Sequence, residues 1–142
     1  MKKYTDIDWN KFSTLGKALV GKPYVFGAET NLNDPDPAHI TALDCSELIE
    51  WLYHQVGIPM PDGSYNQDTL CKSYTGELLV GDLGFKWHPD THVIHHVGTY
   101  IGENMVLEAK GKAWGVILTS ISAFMHVPDW AHWSRYPDFI SA

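Results

Sequence analysis

The chain has 142 residues, which is the length of one domain of ordinary size. Hydrophobic residues make up 44% of it and charged residues 19%, a composition that is typical of globular proteins and too apolar for a disordered chain. Ten Lys and Arg residues stand against 17 Asp and Glu residues, and the net charge of −7 argues against nucleic acids and anionic membranes as partners.

The start of the chain predicts neither a leader peptide nor an anchor. Two lysines follow the first methionine, but no apolar segment comes after them, and no stretch of the sequence approaches the length of a membrane span. No internal repeat or linker divides the sequence. We therefore expect a soluble, monomeric protein with one domain over residues 1–142 and no signal peptide.

The first predicted helix covers residues 7–20 and stops at Gly21. Its apolar face is formed by Phe12, Leu15 and Leu19. Residues 22–27 are predicted to form a short aromatic strand or turn. Residues 31–37 contain two prolines and two aspartates, which predicts an acidic loop.

The second helix has the clearest signals in the sequence. Asp44 takes the N-cap position and Glu47 follows three residues later, which is a capping-box pattern with Asp in place of Ser or Thr. Gly57 and then Pro59 end the helix. One apolar stripe runs along it, formed by Cys45, Leu48, Ile49, Leu52 and Val56.

Strands dominate the second half of the chain, after a short predicted helix over residues 65–72. Residues 95–101 and 105–109 flank the turn residues 102–104, which is the signature of a hairpin, and residues 114–121 predict a third strand. The rest is predicted to be an aromatic tail that packs back on the domain, with Trp130, Trp133, Tyr136 and Phe139. Helices followed by antiparallel strands predict the α+β class.

Cys45 is the first candidate for chemistry, because it falls in the first turn of the second helix. Unpaired backbone N–H groups and the positive end of the helix dipole favour a thiolate at that position. The thiolate is the nucleophilic form of cysteine, and it needs a base nearby. Cys71 has no such position, and we expect it to be structural.

His96 and Glu108 are candidates for the base and the group that orients it. With a turn at residues 102–104, residues 98 and 108 face each other across the hairpin, and the two side chains share one face a diagonal apart. A carboxylate beside an imidazole fixes its tautomer and stabilises the imidazolium. His95 is a rival base, but adjacent strand residues point to opposite faces, so only one of the two histidines can meet Cys45.

Three segments resemble the NlpC/P60 family of papain-like cell-wall peptidases. Residues 44–49 (DCSELI) are similar to its D-C-S-G nucleophile motif, residues 81–83 (GDL) to its G-D-L strand entry, and residues 96–102 (HVGTYIG) to its H-V-G-I-Y-I-G strand. The family's third polar residue follows about twelve positions after the histidine, which corresponds to Glu108. The matches run in order from about residue 15 to 121.

Two further segments add to the resemblance, and three features depart from it. Residues 21–27 (GKPYVFG) are similar to the family's Y-x-x-G segment, and Ser64 with Gln67 is similar to its S-x-x-Q segment. The departures are Glu47 in place of a glycine, a longer acidic insertion over residues 28–43, and Glu108 where His or Asn is commoner.

The resemblance implies a papain-like fold with N-terminal helices packed on a central antiparallel sheet. It also implies a cysteine endopeptidase that acts on bacterial peptidoglycan, with Cys45 as nucleophile, His96 as general base and then acid, and Glu108 as orienter. The implied target is the γ-D-glutamyl–diamino acid bond of stem peptides. Residues expected to border the oxyanion or the substrate are Tyr24, Asp44, Ser46, Ser64 and Gln67. The chemistry needs no cofactor.

Alternative activities remain open at this point. An N-acetylmuramoyl-L-alanine amidase would use the same scaffold. A thiol acyltransferase is a rival, although such relatives place the histidine before the cysteine in the chain. Among family members, a short form without an export signal resembles the catalytic module of a phage endolysin, which acts from the host cytoplasm on the wall; other members would be secreted or delivered by other means.

Other patterns allow a metal or a glycan site. A zinc site is conceivable from His88, His92, His95 and His96, but no HExxH or Cys-x-x-Cys motif accompanies them, and we expect no metal. Asp34 and Asp36 could bind calcium, although a solvated acidic loop is favoured. The tryptophans Trp87, Trp114, Trp130 and Trp133 are expected in the core rather than on a glycan platform.

Overall fold

Three helices precede the sheet along the chain. In the computed structural model, which describes residues 2–140, they are α1 (Trp9–Ala18), α2 (Cys45–Gln55) and α3 (Ser64–Leu70). Each agrees with a predicted helix to within a turn. Among the described residues, no helix is both long and apolar enough to cross a membrane.

Six strands form one sheet in which every neighbouring pair is antiparallel. They are β1 (Lys72–Ser73), β2 (Leu83–Trp87), β3 (Ile94–Gly102), β4 (Met105–Ala109), β5 (Val116–Ser120) and β6 (Trp130–Arg135). Their order across the sheet is β1-β6-β2-β3-β4-β5. Helices followed by an antiparallel sheet confirm the predicted α+β class.

The aromatic tail packs back on the domain as predicted, with Trp133 and Phe139 buried. It also contains β6, which was not predicted and lies inside the sheet between β1 and β2. A register shift within β6 breaks its alternation, and Trp130 and Trp133 both pack against Phe124. Its partner β2 lies far away in sequence, so no local pattern indicates the pairing. The short helix α4 (Ile121–Met125), capped by the Ser120 hydroxyl, was also not predicted.

The β3–β4 hairpin has the predicted register with a tighter turn. β3 continues to Gly102, and the turn consists of Glu103 and Asn104, which have φ angles of 56° and 60°. Thr99 faces Leu107, so residues 98 and 108 face each other one step further along. An irregularity next to Gly102 absorbs the difference between the predicted and the observed turn.

The main core lies between the helices and one face of the sheet. α1 approaches this face closely, because a Cβ atom at Gly16 would lie 2.8 Å from the side chains of Ile101 and Leu107. α4 covers the other face, where a Cβ atom at Gly84 would lie 2.5 Å from the Phe124 ring. The sheet is therefore packed on both sides, and the helices are fixed relative to its strands.

A buried ion pair joins the start of β2 to the end of β6. The Arg135 Nε and Nη2 atoms donate to Oδ1 and Oδ2 of Asp82, both at 2.8 Å, and Oδ2 also accepts the Leu79 amide at 2.9 Å. The Arg135 guanidinium lies 3.7 Å from the centroid of the Tyr74 ring. The pair thereby fixes the position of β6 between its two partners.

We predict that Asp82→Ala lowers the free energy of unfolding by about 3 kcal/mol or more, because it leaves the Arg135 charge buried without a partner. Urea denaturation measures this loss. Asp90→Ala is the matched control, since Asp90 is exposed, and it is expected to change stability by less than about 0.5 kcal/mol. Equal losses in the two variants would contradict the prediction.

Candidate active site

Cys45 is the first residue of α2, and its position is fixed by the cap before it. The Asp44 Oδ1 atom accepts the Glu47 amide at 2.9 Å and the Ser46 hydroxyl at 3.3 Å, while Oδ2 accepts the Gly27 amide at 3.0 Å. Asp44, expected beside the substrate, therefore serves in the structure as the helix cap. Within residues 2–140 the Cys45 amide donates to no protein acceptor, so it is open to a bound oxyanion.

Tyr24 lies beside Cys45 because its segment runs alongside the residue before the cap. Leu43 donates its amide to Pro23 at 3.0 Å and accepts the Val25 amide at 3.2 Å, which forms an isolated parallel bridge between Tyr24 and Leu43. Burial raises the pKa of Tyr24, and the negative charges of Cys45 and Asp44 raise it further. The phenol is therefore kept neutral and able to donate a hydrogen bond.

His96 and Glu108 form a buried pair in the predicted diagonal arrangement. The His96 Nε2 atom lies 2.9 Å from Oε1 of Glu108, and the two residues are 9% and 1% exposed. Burial lowers the pKa of His96, but its interactions with the nearby Cys45 thiol and the Glu108 carboxylate outweigh it and raise the pKa to about 9. Because Nε2 faces the carboxylate, Nδ1 is the ring atom available to the thiol.

Glu108 is held as a carboxylate despite its burial. Burial raises its pKa, but the hydrogen bond from His96 and the positive charge of Lys86 outweigh that effect and lower it. Its carboxylate therefore stays charged at neutral pH and stabilises a protonated imidazole. His96 thus lies against the Glu108 carboxylate and close enough to Cys45 for the thiol to act on its pKa.

His95 does not lie on the opposite face from His96, contrary to the strict alternation of strand residues. Lys86 faces His96 while Trp87 faces Ile94, so His95 is the extra residue of a β-bulge. Both histidines consequently line the same cleft. They differ in their partners, because the His95 Nε2 atom lies 3.2 Å from Oδ2 of Asp129, whereas His96 contacts Cys45 and Glu108.

The cleft beside the pair has a volume of about 220 Å³. Its lining residues are Tyr24, Lys86, His95, His96, Glu108, Lys110 and Asp129. Sequence reasoning missed Lys86, Lys110 and Asp129. Lys86 lies between Phe85 and Trp87, and this pattern could have pointed to it. Only the Gly-Asp-Leu segment at residues 81–83 was noted in the sequence, however, and β2 was not predicted as a strand.

Three residues expected to contact the substrate do not line this cleft. Gln67 is fully buried, and its Nε2 atom donates to the carbonyl oxygens of Ser46 at 3.0 Å and Pro61 at 2.9 Å. A fully buried amide cannot reach a bound substrate, so Gln67 instead joins α3 to the first turn of α2. Ser46 is buried beneath the cap, and Ser64 opens α3.

Cys71 differs from Cys45 in its surroundings. Burial raises the pKa of the Cys71 thiol to about 12, and the charges of Asp68 and Asp82 add to the rise. A thiol with that pKa stays protonated and unreactive at neutral pH. Both cysteines are free, and the burial and raised pKa of Cys71 agree with the structural role predicted for it.

The candidate calcium loop uses its carboxylates internally. The Asp34 Oδ2 atom lies 2.8 Å from Nδ1 of His39, and Asp34 and Asp36 also accept backbone amides of the loop. A different group of three carboxylates has its oxygens within 4.8 Å of one another, and it consists of Glu47, Glu50 and Asp62. Carboxylate oxygens are ligands that Ca²⁺ and Mg²⁺ prefer.

The histidines proposed for zinc stack with other rings. His88 stacks on His95 at a centroid distance of 4.4 Å, and His92 stacks on Trp87 at 4.2 Å. Within residues 2–140 they do not bring three ligand atoms within 4.8 Å of one another. Trp114 is the most exposed of the four tryptophans singled out above, and its ring lies 4.7 Å from the Lys110 Nζ atom.

Comparison with known proteins finds one family. The model of the NlpC/P60 family matches residues 21–134. The chain is 29% identical over 92 residues to the bifunctional muramidase/DL-endopeptidase CwlT of Bacillus subtilis, covering 63% of the chain and 26% of that protein. It is 33% identical over 90 residues to the murein DD-endopeptidase MepS/murein LD-carboxypeptidase of Escherichia coli, covering 62% of the chain and 44% of that protein.

Solved structures of NlpC/P60 family proteins have a similar fold. A crystal structure of an NlpC/P60 family protein from Bacillus cereus ATCC 10987 superposes with a TM-score of 0.75 at 23% identity, covering 91% of this chain and 40% of that one. At this identity the likeness concerns the fold. The chain spans less than half the length of each of these three proteins.

We predict that Glu108→Gln lowers the pKa of His96 from about 9, because the neutral amide no longer stabilises the imidazolium. Titration of the His96 ring signals by NMR measures the shift. Glu103→Gln, in the exposed hairpin turn, is the matched control and should leave the His96 titration unchanged. A His96 pKa that does not respond to Glu108→Gln would contradict the pairing.

We predict that Glu50→Gln stabilises the fold at high pH. Burial, together with Glu47 and Asp62, raises the pKa of Glu50 from 4.5 to about 8. For a carboxyl group with a raised folded pKa, stability is lost as the pH rises through that interval. The difference in melting temperature between Glu50→Gln and the native chain should therefore change in favour of the variant as the pH rises from about 5 to about 9. A constant difference between the two proteins would show that Glu50 is not perturbed.

Proposed function

The chain belongs to the NlpC/P60 family, and on that basis we propose that it is a cysteine endopeptidase of peptidoglycan stem peptides. The observation that carries the proposal is the contact series from Cys45 through His96 to Glu108 at the edge of a cleft. Two relatives support the substrate, because CwlT and MepS are both named as endopeptidases of the bacterial wall.

The first half of the proposed reaction forms an acyl-enzyme. His96 takes the thiol proton of Cys45, and the thiolate attacks the carbonyl carbon of the scissile amide. In the proposed step the Cys45 amide and the Tyr24 hydroxyl donate hydrogen bonds to the resulting oxyanion. The C–N bond then breaks as the protonated His96 donates its proton to the leaving amine, which leaves a thioester on Cys45.

The second half releases the acid. His96 removes a proton from a water molecule, whose oxygen attacks the thioester carbonyl, and the Cys45 sulfur leaves as the new carboxyl group forms. Glu108 accepts a hydrogen bond from Nε2 throughout, which holds Nδ1 toward the sulfur and stabilises the imidazolium in both halves. The raised pKa of His96, about 9, makes its imidazole a stronger base toward the thiol proton.

We further propose the γ-D-glutamyl–diamino acid bond as the target. The resemblance of the Asp-Cys-Ser and His-Val-Gly motifs to those of γ-D-glutamyl peptidases supports this bond. Amidase and acyltransferase activity are the competing outcomes, and they leave different products: an amidase frees the lactyl carboxyl group of the glycan, and an acyltransferase transfers the acyl group to an acceptor other than water.

We predict that Cys45→Ala abolishes the release of soluble fragments from purified sacculi, since removal of a nucleophile costs on the order of 10⁴-fold or more in rate. Cys71→Ala is the matched control, because it removes the other thiol, and it should retain activity. Glu108→Gln should fall between the two. Mass spectrometry of the fragments identifies the bond, and new amino groups on the diamino acid are expected.

Two results would contradict the proposal in different ways. An unchanged rate with Cys45→Ala would overturn the mechanism. Loss of activity with Cys45→Ala, combined with fragments cleaved at the lactyl–alanine bond, would keep the nucleophile and replace the endopeptidase by an amidase.

A further inference from the structure

Two lysines lie in the cleft beside the catalytic pair, and the proposed reaction gives neither of them a task. Lys86 is the cross-strand partner of His96, and it is only 7% exposed. Its Nζ atom lies 4.3 Å from the centroid of the Phe124 ring. Lys110 follows Glu108 by two residues, and its Nζ atom lies above the Trp114 ring.

Each carboxylate of the cleft contacts a histidine, and the second oxygen of Glu108, Oε2, has no hydrogen-bond partner within residues 2–140. Glu108 is hydrogen-bonded to His96 at 2.9 Å, and Asp129 lies 3.2 Å from His95. In the part of the chain from residue 2 to 140, neither lysine has a carboxylate oxygen within 4.0 Å. Two cations therefore share one cleft without a direct counter-ion.

The charged form of Lys86 is disfavoured in this position. Burial lowers the pKa of Lys86, the charges of Glu108 and Asp129 oppose this effect, and the positive charge of Lys110 adds to it. A buried charge is costly unless it is paired. An anion held between the two ammonium groups would supply the missing partner, and it would lie next to His96.

We propose that Lys86 and Lys110 form a binding site for a carboxylate of the stem peptide. The inference rests on the proposed function, because it assumes a stem peptide in the cleft. A γ-linked glutamyl residue keeps its α-carboxylate free beside the scissile bond, and the diamino acid can carry a second one. Both sources offer the same chemistry, and amidation of either removes its charge.

A different result is expected if Lys86 acts only through its charge on the catalytic pair and binds no carboxylate. Its charge also lowers the pKa of Glu108, and through that carboxylate it could act on His96. In that case the loss of Lys86 would affect every substrate equally. A carboxylate site instead affects acidic peptides more than amidated ones, so the ratio between the two is the informative quantity.

The test measures binding without cleavage, in the Cys45→Ala background. Calorimetry gives the Kd of three synthetic stem peptides: one with both carboxylates free, one amidated at the glutamyl α-carboxylate, and one amidated at the diamino acid. We expect amidation of one of the two positions to weaken binding by about tenfold or more, which is typical for loss of a charge-assisted contact. The position that responds identifies the source of the carboxylate.

Lysine variants then assign the effect. Lys86→Met keeps the apolar stem of the side chain, and it should reduce the acidic-to-amidated ratio of affinities toward one. Lys110→Gln should reduce the same ratio. Because Lys110 is exposed, this variant is expected to fold, so it tests the site even if Lys86→Met does not fold. Lys112→Gln is the matched control, because it removes an exposed charge that does not line the cleft, and the ratio should not change.

The outcomes separate this site from the proposed function. Equal affinities for acidic and amidated peptides overturn the carboxylate site, even if the wild type cleaves stem peptides. An acidic preference that survives both lysine variants also overturns it. If the wild type cleaves none of the peptides and the Cys45→Ala variant binds none, the proposed function fails together with the site.

Discussion

The hydrogen bond between His96 and Glu108 is the interaction on which the rest of the site depends. Both side chains are nearly buried, and each needs the other to carry a charge there. The contact exists only in one register of the β3–β4 hairpin, in which residues 98 and 108 face each other. A slip by one residue would turn Glu108 to the other face of the sheet and leave the imidazole without its carboxylate.

Cys45, the proposed nucleophile, is positioned by a second set of hydrogen bonds that does not involve the hairpin. Asp44 caps α2 and at the same time binds the Gly27 amide, so one carboxylate fixes both the first helical turn and the segment that carries Tyr24. The bulge in β3 then brings His95 and His96 to the same cleft. Cap, bulge and hairpin together place the thiol, the imidazole and the carboxylate in contact although they belong to three separate elements.

The acidic insertion over residues 28–43 is bound to α2 through Glu47, the residue that takes the place of the family's glycine. The Glu47 Oε2 atom accepts both the amide and the hydroxyl of Thr30, each at 2.7 Å, and so ties residues 28–43 to α2. A glycine at this position could not make that contact. The arrangement has a cost, because Glu47 then lies close to Glu50 and Asp62, and this crowding helps to raise the pKa of Glu50 to about 8.

The sequence by itself determined the class of the fold, the three helices before the sheet, the hairpin register that pairs His96 with Glu108, and the place of Cys45 at a helix start. These follow from local rules: capping, helical spacing, and pairing across a short turn. The combination of Cys45 with His96 rather than His95 came from the resemblance to a known family. Only the tertiary structure decided the place of β6, the shared cleft of His95 and His96, the burial of Gln67, and the two lysines. Each of these depends on contacts between strands or helices distant in the chain, and the bulge in β3 breaks the alternation on which a sequence argument relies.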